Sequence, residues 1–408
     1  MLREKNKGIT LVALVITIII LLILAGISIS ALTNTGIFGK AKEAKSASEN
    51  AEEKQNDVLE EYQVQLNKYI SNLPSTNDTE PYLPDNTFSK FDGTIDTGLV
   101  IQDNLGNQYV WVVVPKSLYN DVKYNLNGTK KPTSNKDYDN IEYCLHQYTM
   151  TYRKGKSEIE TNYTDTWADD TSNESWFSKD EYISTKQKML QSIYENGGFY
   201  VGRYEAGITI NRKTNNDKNS EGKYIIPDSL PVSREGVYPY TFVTRTQAQK
   251  LAEKVNSGKY KSSLMFGVQW DLVLAFMNKD SKATTEVLNQ YGKTIGNYYN
   301  SLWNISDTKS KYSINDGDTF IDSPYQKKSG ARILLTTGAY KNYSIQNIYD
   351  IAGNVWEWTL EKTFSDNETC TLRGGSYDNS DTDAPASGRH YYSTSGSVNL
   401  IGFRISIF

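Results

Sequence analysis

The most regular pattern in the chain is an apolar run close to its N-terminus. From Ile9 to Leu32 no residue is charged, and Thr and Ser are the only polar residues. At about 1.5 Å per residue, a helix over this range would be roughly 36 Å long, enough to cross a hydrocarbon core of about 30 Å. We therefore predict a transmembrane helix over residues 9–32. A buried helix of a soluble domain and a cleaved secretory signal are the alternatives, although the apolar region of such a signal is usually shorter.

Polar sequence follows the apolar run. Residues 33–72 have little apolar surface and high helix propensity, which predicts a solvated helical stalk. Residues 73–94 contain three prolines and many turn-forming residues, which indicates a linker. Basic residues occur on both sides of the apolar run, so charge alone does not settle its orientation in a membrane.

From about residue 95 the pattern changes to short alternating and helical segments. Residues 99–115 predict two strands joined near Gly106, and the polar stretch 117–180 predicts a surface insertion. A helix ending at Gly197 and Gly198 should lead into a strand. Two further helices are predicted, one beginning at Thr244 with a capping-box Gln247 and ending at Gly258, the other with Trp270, Val273, Leu274 and Met277 on one side. The last residues, IGFRISIF, predict a terminal strand, so residues 95–408 are expected to form a loop-rich α+β domain.

Composition limits the classes of partner and site. The net charge is -4, so no basic excess indicates nucleic-acid binding. The chain has two cysteines, Cys144 and Cys370, and two histidines, His146 and His390, so a structural zinc site would need all four. The 30 tyrosines suit a surface that binds through flat rings and hydrogen bonds, although polar loops of a secreted protein would have the same composition.

The junction between the charged N-terminus and the apolar run, Lys7 to Leu11, resembles the class III signal of type IV pilins and pseudopilins. This resemblance implies cleavage between Gly8 and Ile9 and retention of the helix as an anchor. It places the protein in the cell membrane as a single-pass protein, with a short tail inside and the large domain extracellular. It also implies pilin-like filament subunits as partners, for which the family uses a carboxylate that Ala13 does not supply.

Four segments of the large domain, in order along the chain, resemble signatures of the formylglycine-generating enzyme, or sulfatase-modifying factor, family. They are GGFYVGRYEAG at 197–207, YDIAGNVWEWT at 349–359, LRGGSY at 372–377 and GFR at 402–404. The resemblance covers about residues 95–408. It implies a C-type-lectin-like variant of the α+β class with little regular structure.

The catalytic pattern of that family is altered in this chain. Enzymatic members follow the Gly-Gly-Ser-Trp/Tyr motif with two cysteines whose thiolates bind copper, and soft sulfur suits Cu(I). The corresponding positions here are Asn379 and Ala384, and neither side chain is a copper ligand. A related branch uses three histidines on iron, which two histidines cannot supply. We therefore expect no copper and no formylglycine-forming activity; an oxidase of this type acting on a protein or small-molecule thiol from a displaced site is the alternative.

The C-terminal loop region lines the pocket of the enzymes and the ligand face of lectin-like relatives. This implies a ligand surface for an extracellular glycan or protein, built from rings, donors and acceptors. Arg373 and Arg404 are expected to be structural. The predicted ligand-binding residues are Tyr377, Asn379, Arg389, His390, Tyr391 and Tyr392. The alternative is that these side chains pack the loops together.

The segment YDIAGNVWEW is expected to hold a structural calcium ion. The family binds calcium here, and calcium prefers several oxygen ligands, including backbone carbonyls. The ligands would be Asp350, the carbonyls of Gly353 and Val355, and Glu357. The alternative is a loop fixed by Trp356 and Trp358 with no ion. Together these patterns predict a membrane-anchored, surface-displayed binding or adhesion protein with an enzymatically silent domain.

Overall fold

The structure is a computed structural model, and it describes residues 16–24, 45, 82–119, 132, 134–153, 163–169, 176, 178–255, 258–363 and 369–408. The chain divides into two compact units, Met1–Pro74 and Ser75–Phe408. In the first unit, residues 16–24 are helical. Within the described part of the chain, no helix is long and apolar enough to cross a membrane. The remainder of the predicted span, the Gly8–Ile9 cleavage site, nearly all of the 33–72 stalk and residues 73–81 of the linker lie outside the described residues.

The second unit contains helices and short strands, as the α+β prediction requires. Its α-helices are α1 (Asn135–Tyr148), α2 (Lys179–Asn196), α3 (Arg245–Glu253), α4 (Gly267–Met277) and α5 (Thr285–Asn289). Short 3₁₀ helices occupy Lys116–Leu118, Met150–Tyr152, Gly292–Thr294 and Lys341–Tyr343.

Two sheets organise the second unit. The larger has the order β1-β2-β3-β4-β17-β7 and antiparallel pairing throughout. Its strands are β1 (Phe88–Asp92), β2 (Val100–Asp103), β3 (Gln108–Val113), β4 (Gly198–Gly202), β7 (Ser262–Leu264) and β17 (Ile405–Ile407). The second has the order β15-β14-β13-β16, with β13 (Trp356–Lys362), β14 (Cys370–Arg373), β15 (Arg389–Tyr392) and β16 (Ile401–Phe403). In this sheet β13 and β16 run parallel.

Three smaller sheets complete the described strands. They pair β5 (Gly207–Ile208) with β6 (Tyr238–Pro239), β8 (Trp303–Ile305) with β11 (Tyr325–Lys327), and β9 (Lys311–Ser313) with both β10 (Ile321–Asp322) and β12 (Leu334–Leu335).

Local sequence signals set several element ends as predicted. The β2–β3 hairpin turns at Gly106, whose φ of 83° a residue without a Cβ adopts easily. Helix α2 starts with a capping box between Ser178 and Glu181 and ends at Gly197 in the left-handed conformation. Helix α3 begins with the predicted Thr244–Gln247 capping box but ends at Glu253, so Gly258 is not its cap.

The prediction that residues 117–180 form a polar surface insertion is wrong for the part of it that is described. Helix α1 buries Ile141 and Leu145 in the main hydrophobic core. From the same stretch, Asp165 accepts hydrogen bonds from the backbone N–H groups of Gly267 and Val268 at 2.6 and 2.8 Å, which caps the N-terminus of α4. These residues therefore complete the core. The linker prediction is also wrong at its end, because residues 88–92 form β1.

Two other elements differ from the predicted pattern for the same physical reason, burial on more than one side. Helix α4 is buried nearly all round and does not have a single apolar face. The expected terminal strand is two strands, β16 and β17, which belong to different sheets and are separated by Arg404. The side chain of Arg404 is fully buried between them, so the break in the strand places a charge inside the domain.

Candidate functional site

The Gly-Gly-Ser-Tyr segment forms a tight turn after β14. Gly374 and Gly375 have φ angles of 92° and 79°. A Cβ on Gly375 would lie 2.3 Å from the carbonyl oxygen of Ala384, so only glycine fits there. Asn379 Oδ1 accepts hydrogen bonds from the Ser376 backbone N–H at 3.2 Å and from Ser376 Oγ at 2.8 Å. The turn is thus closed by the side chain that stands in a catalytic cysteine position.

The second catalytic position is also occupied by a packing residue. Ala384 is 4 % exposed and belongs to the main core. Cys144 and Cys370 are buried on α1 and β14 and form no disulfide. The motif therefore carries an amide and a methyl group where copper-binding thiolates are expected.

Two of the predicted ligand residues are wrong, because they lie in the interior. Tyr377 is completely buried among Leu334 and Val355, and its hydroxyl lies 3.1 Å from Asp316 Oδ1. Arg389 is 6 % exposed and its guanidinium group is bound by buried carboxylates. An alternating strand places one neighbour inward and the next outward, and β15 turns Arg389 inward.

The remaining predicted residues of β15 lie on the surface of the domain. His390 is exposed, and Tyr391 and Tyr392 are half-buried. The His390 and Tyr391 rings are 5.2 Å apart and stacked, and the Trp356 ring lies 5.6 Å from that of His390. Tyr392 packs edge-on against Trp358, at 5.9 Å, and is thereby tied to the core. We call His390, Tyr391 and Tyr392 the β15 surface.

Two cavities lie among the described residues. One cavity of about 260 Å³ lies between α1, α2 and residues 165–167, and a second of about 220 Å³ lies beside Lys259, Tyr260 and Phe408. Neither is lined by β15. A partly exposed ring pair outside both of these cavities suits an extended ligand better than an enclosed small molecule.

Beneath the β15 surface lies a fully buried ionic network. Asp271 of α4 accepts from Arg373 Nη2 at 2.7 Å and from Arg389 Nη2 at 2.7 and 3.0 Å. Glu361 of β13 accepts from Arg389 Nε at 2.9 Å. Burial by itself would raise the pKa of Glu361, but neighbouring guanidinium groups, led by that of Arg389, lower it to about 2. The network fixes β15 to β13, β14 and α4.

The predicted calcium segment contains a second buried ionic group. Glu357 receives three N–H···O contacts from Arg404, at 2.7, 3.1 and 3.1 Å, which involve both carboxylate oxygens. Arg404 also donates to the carbonyls of Gly202 and Tyr349 at 3.0 and 2.9 Å. Both side chains are at most 1 % exposed. The guanidinium group of Arg404 already uses both carboxylate oxygens of Glu357. The arrangement of these residues therefore does not fit a calcium ion bound by Glu357.

Two more carboxylates lie near this pair, and their burial disfavours the charged form. Burial, reinforced by the nearby carboxylates of Asp350 and Glu357, raises the pKa of Glu205 well above its ordinary value. Burial also raises the pKa of Asp350 to about 6, while its Oδ2 accepts the Gly338 N–H at 2.7 Å. Arg404 therefore supplies positive charge at the place where a metal ion would otherwise balance these acids.

Calcium at Asp350, Gly353, Val355 and Glu357 was predicted from the sequence, and the contacts of Arg404 with Glu357 argue against it. We expect a chelator to leave the thermal midpoint of the full-length protein unchanged, because an ion shifts folding only when it binds the native state. Differential scanning calorimetry with and without chelator would measure this. A midpoint that falls in chelator and recovers with added calcium would restore the calcium assignment.

The two histidines lie on different elements, His146 on α1 and His390 on β15. His146 joins Glu142 and Asp165 in a group whose ligand atoms all lie within 4.8 Å of one another. Arg153 Nη1 lies 3.0 Å from His146 Nδ1, and since arginine can only donate, Nδ1 must accept. The proton is then on Nε2, which faces the carboxylates at 3.5 and 3.6 Å. These contacts indicate a polar network here and not a metal centre.

Sequence reasoning missed the partners that hold the predicted surface in place. Asp271 is the one charged residue of the mostly apolar helix α4, which was a readable signal of buried ion pairing. Glu361 lies in β13 with other polar and charged residues and gave no such signal. Lys327, a buried lysine at the end of β11, had no such signal because its neighbours are polar.

Comparison with known proteins gives a family match over most of the chain. Residues 129–407 match the family described as the sulfatase-modifying factor enzyme 1-like domain. No curated protein matches the chain.

Several solved structures align with about half of the chain. They include Treponema denticola variable protein 1, with 15% identity over 52% of this chain and 84% of that one and a TM-score of 0.29. CarF aligns with 12% identity over 51% of this chain and 85% of CarF, with a TM-score of 0.29. PvdO from Pseudomonas aeruginosa aligns with 13% identity over 52% of this chain and 81% of PvdO, with a TM-score of 0.26.

Proposed function

The chain belongs to the family of the sulfatase-modifying factor enzyme 1-like domain, and on that premise we propose that its large domain binds a ligand and lacks the family's oxidase activity. The observation that carries the proposal is the state of the two cysteine positions. Asn379 closes the Gly-Gly-Ser turn and Ala384 packs in the core. A thiolate pair at these positions is thereby replaced by residues that stabilise the turn.

The ligand we propose is an extracellular glycan or protein, bound on the β15 surface. Aromatic rings that keep one face exposed supply contact area at low cost in side-chain entropy. His390 and Tyr391 form such a stacked pair on an edge strand. The ionic network under β15 supports this role, since it holds the strand rigid from below.

Display at the cell surface is the part of the proposal that rests on the N-terminal sequence. The uncharged run 9–32 would anchor the chain in the cell membrane after cleavage at Gly8, with the large domain outside. Pilin-like subunits are the proposed neighbours in the membrane. The net charge of -4 argues against a nucleic acid as a partner.

We expect Tyr391→Ala to weaken ligand binding by about 2 kcal/mol, roughly 30-fold in Kd, while leaving the free energy of unfolding within about 0.5 kcal/mol of the wild-type value. The reason is that the ring is half-exposed and contacts its neighbour His390. Binding would be measured by passing full-length protein in detergent over a panel of glycans and cell-surface proteins.

The matched control is Tyr143→Ala, at a tyrosine that is 51% exposed on α1 and lies outside the β15 surface. It should bind the same members of the panel as the wild type. If Tyr391→Ala keeps wild-type affinity for every binder, the β15 surface is not the site. Copper bound stoichiometrically to the purified protein, together with oxidation of a thiol substrate, would favour the oxidase alternative.

A further inference from the structure

Lys327 is a buried cation surrounded by neutral oxygen atoms. Its side chain is 2% exposed at the end of β11. Its Nζ donates to the carbonyl of Tyr298, lies 3.3 Å from Asn297 Oδ1 and lies 3.2 Å from Ser301 Oγ. No carboxylate oxygen of the described residues makes an ion pair with it. Three acceptors match the three hydrogens of an ammonium group.

One short loop supplies all three oxygens and is itself ordered around them. Asn297 Oδ1 also accepts from Trp303 Nε1 at 3.0 Å, and the Trp303 ring lies 5.9 Å from the Lys327 nitrogen. Ser301 Oγ donates to the Tyr298 carbonyl at 2.8 Å and accepts the Tyr298 N–H at 3.0 Å. Burial lowers the pKa of Lys327 to about 7, whereas the three acceptors favour the charged form. We call Asn297, Tyr298 and Ser301 the oxygen cage.

The outer side of the same loop holds the turn that follows the Gly-Gly-Ser motif. The Tyr299 N–H donates to the carbonyl of Asn379 at 2.8 Å. Asn300 exchanges two hydrogen bonds with Asp381, Nδ2 to Oδ1 at 2.6 Å and Oδ1 from the backbone N–H at 3.2 Å. The position of this turn therefore depends on the loop, and the loop closes around Lys327.

We propose that the oxygen cage is an internal monovalent-cation site whose resident cation is the ammonium group of Lys327, and that its occupancy positions the 376–384 turn. Carbonyl, amide and hydroxyl oxygens without a carboxylate suit a singly charged ion, because divalent sites recruit carboxylates to balance the charge. Lys327 is a positioning residue, and this role holds whether or not the β15 surface binds a ligand.

The test is chemical rescue of Lys327→Ala in the full-length protein. The substitution opens the cage, and we expect the thermal midpoint to fall by about 5–10 °C. Ethylammonium chloride should restore part of that loss, because a cation that binds only the native state stabilises it by mass action. Tetramethylammonium chloride at the same concentration is the control, since it has no N–H to donate. The wild-type midpoint should respond equally to both salts.

Hydrogen exchange supplies a second readout at the turn. The Tyr299 and Asp381 amides should exchange faster in Lys327→Ala and slow again in ethylammonium. Lys327→Met fills similar volume without charge or donors, so it should lose stability and show no rescue. A Lys327→Met protein with wild-type midpoint and protection would overturn the proposal.

Two other outcomes are equally decisive. A destabilised Lys327→Ala protein that responds identically to the two salts would show that the lysine only fills space. If Lys327→Ala does not fold on expression, refolding yields in the two salts decide the matter. A higher yield in ethylammonium supports the cation site, and equal yields overturn it.

Discussion

Replacing Arg404 with methionine should reduce the free energy of unfolding by about 3–5 kcal/mol, the range for breaking a buried ion pair from one side. Methionine keeps much of the side-chain length but removes the three contacts to Glu357 and the donors to Gly202 and Tyr349. Glu357 would remain buried beside the carboxylates of Glu205 and Asp350 with no cation. Urea unfolding of the full-length protein would measure the loss.

A double variant distinguishes the stability lost by leaving a buried charge unpaired from the stability lost with side-chain packing. Arg404→Met with Glu357→Gln should recover part of the stability, because the neutral amide no longer needs a guanidinium group. Arg332→Met is the surface control, since Arg332 is 64% exposed in its pair with Asp378 and should change stability by at most about 1 kcal/mol. A double variant no more stable than Arg404→Met alone would contradict the charge explanation.

The second large effect is expected at Asp271 on α4. Asp271→Asn should cost about 3–5 kcal/mol, because it leaves Arg373 and Arg389 buried with only Glu361 to balance them. Asp322→Asn is the matched control. That carboxylate pairs with Lys311 at 2.6 Å but is 72% exposed, so its loss should cost at most about 1 kcal/mol. Equal losses for the two variants would show that the buried network adds little.

The same network predicts the direction of acid sensitivity. The pKa of Glu361 is about 2 in the folded protein and lies below its ordinary value, so the unfolded chain binds this proton first. Its contribution to stability is present above the unfolded pKa and is lost as the pH falls toward 2. Asp271→Asn should make the protein unfold at a higher pH during acid titration.

Local chemistry explains which parts of the fold could be predicted. Caps depend on residues close in sequence, so Thr244 and Gly197 identified helix ends correctly. The family segments are short and ordered, and residues 129–407 confirm the family that they indicated. The N-terminal anchor stays a sequence prediction, because only residues 16–24 of its span are described.

Long-range burial explains where prediction failed. Polar composition made residues 117–180 look like an insertion, yet Asp165 is buried because it caps a helix that begins 102 positions later. Arg389 and His390 look alike as surface candidates, and only the alternation of β15 in the folded sheet turns the first inward and the second outward. Lys327 illustrates the same limit, since its three acceptors lie on a loop that closes around it only in the fold.

The most direct test of the account is a hydrogen-exchange footprint of the full-length protein with the tightest binder from the glycan and protein panel. The account predicts that the ligand slows exchange of amides in residues 389–392, the strand that carries the stacked rings of His390 and Tyr391. Protection confined to residues 134–153 and 163–169, with none on β15, would contradict it.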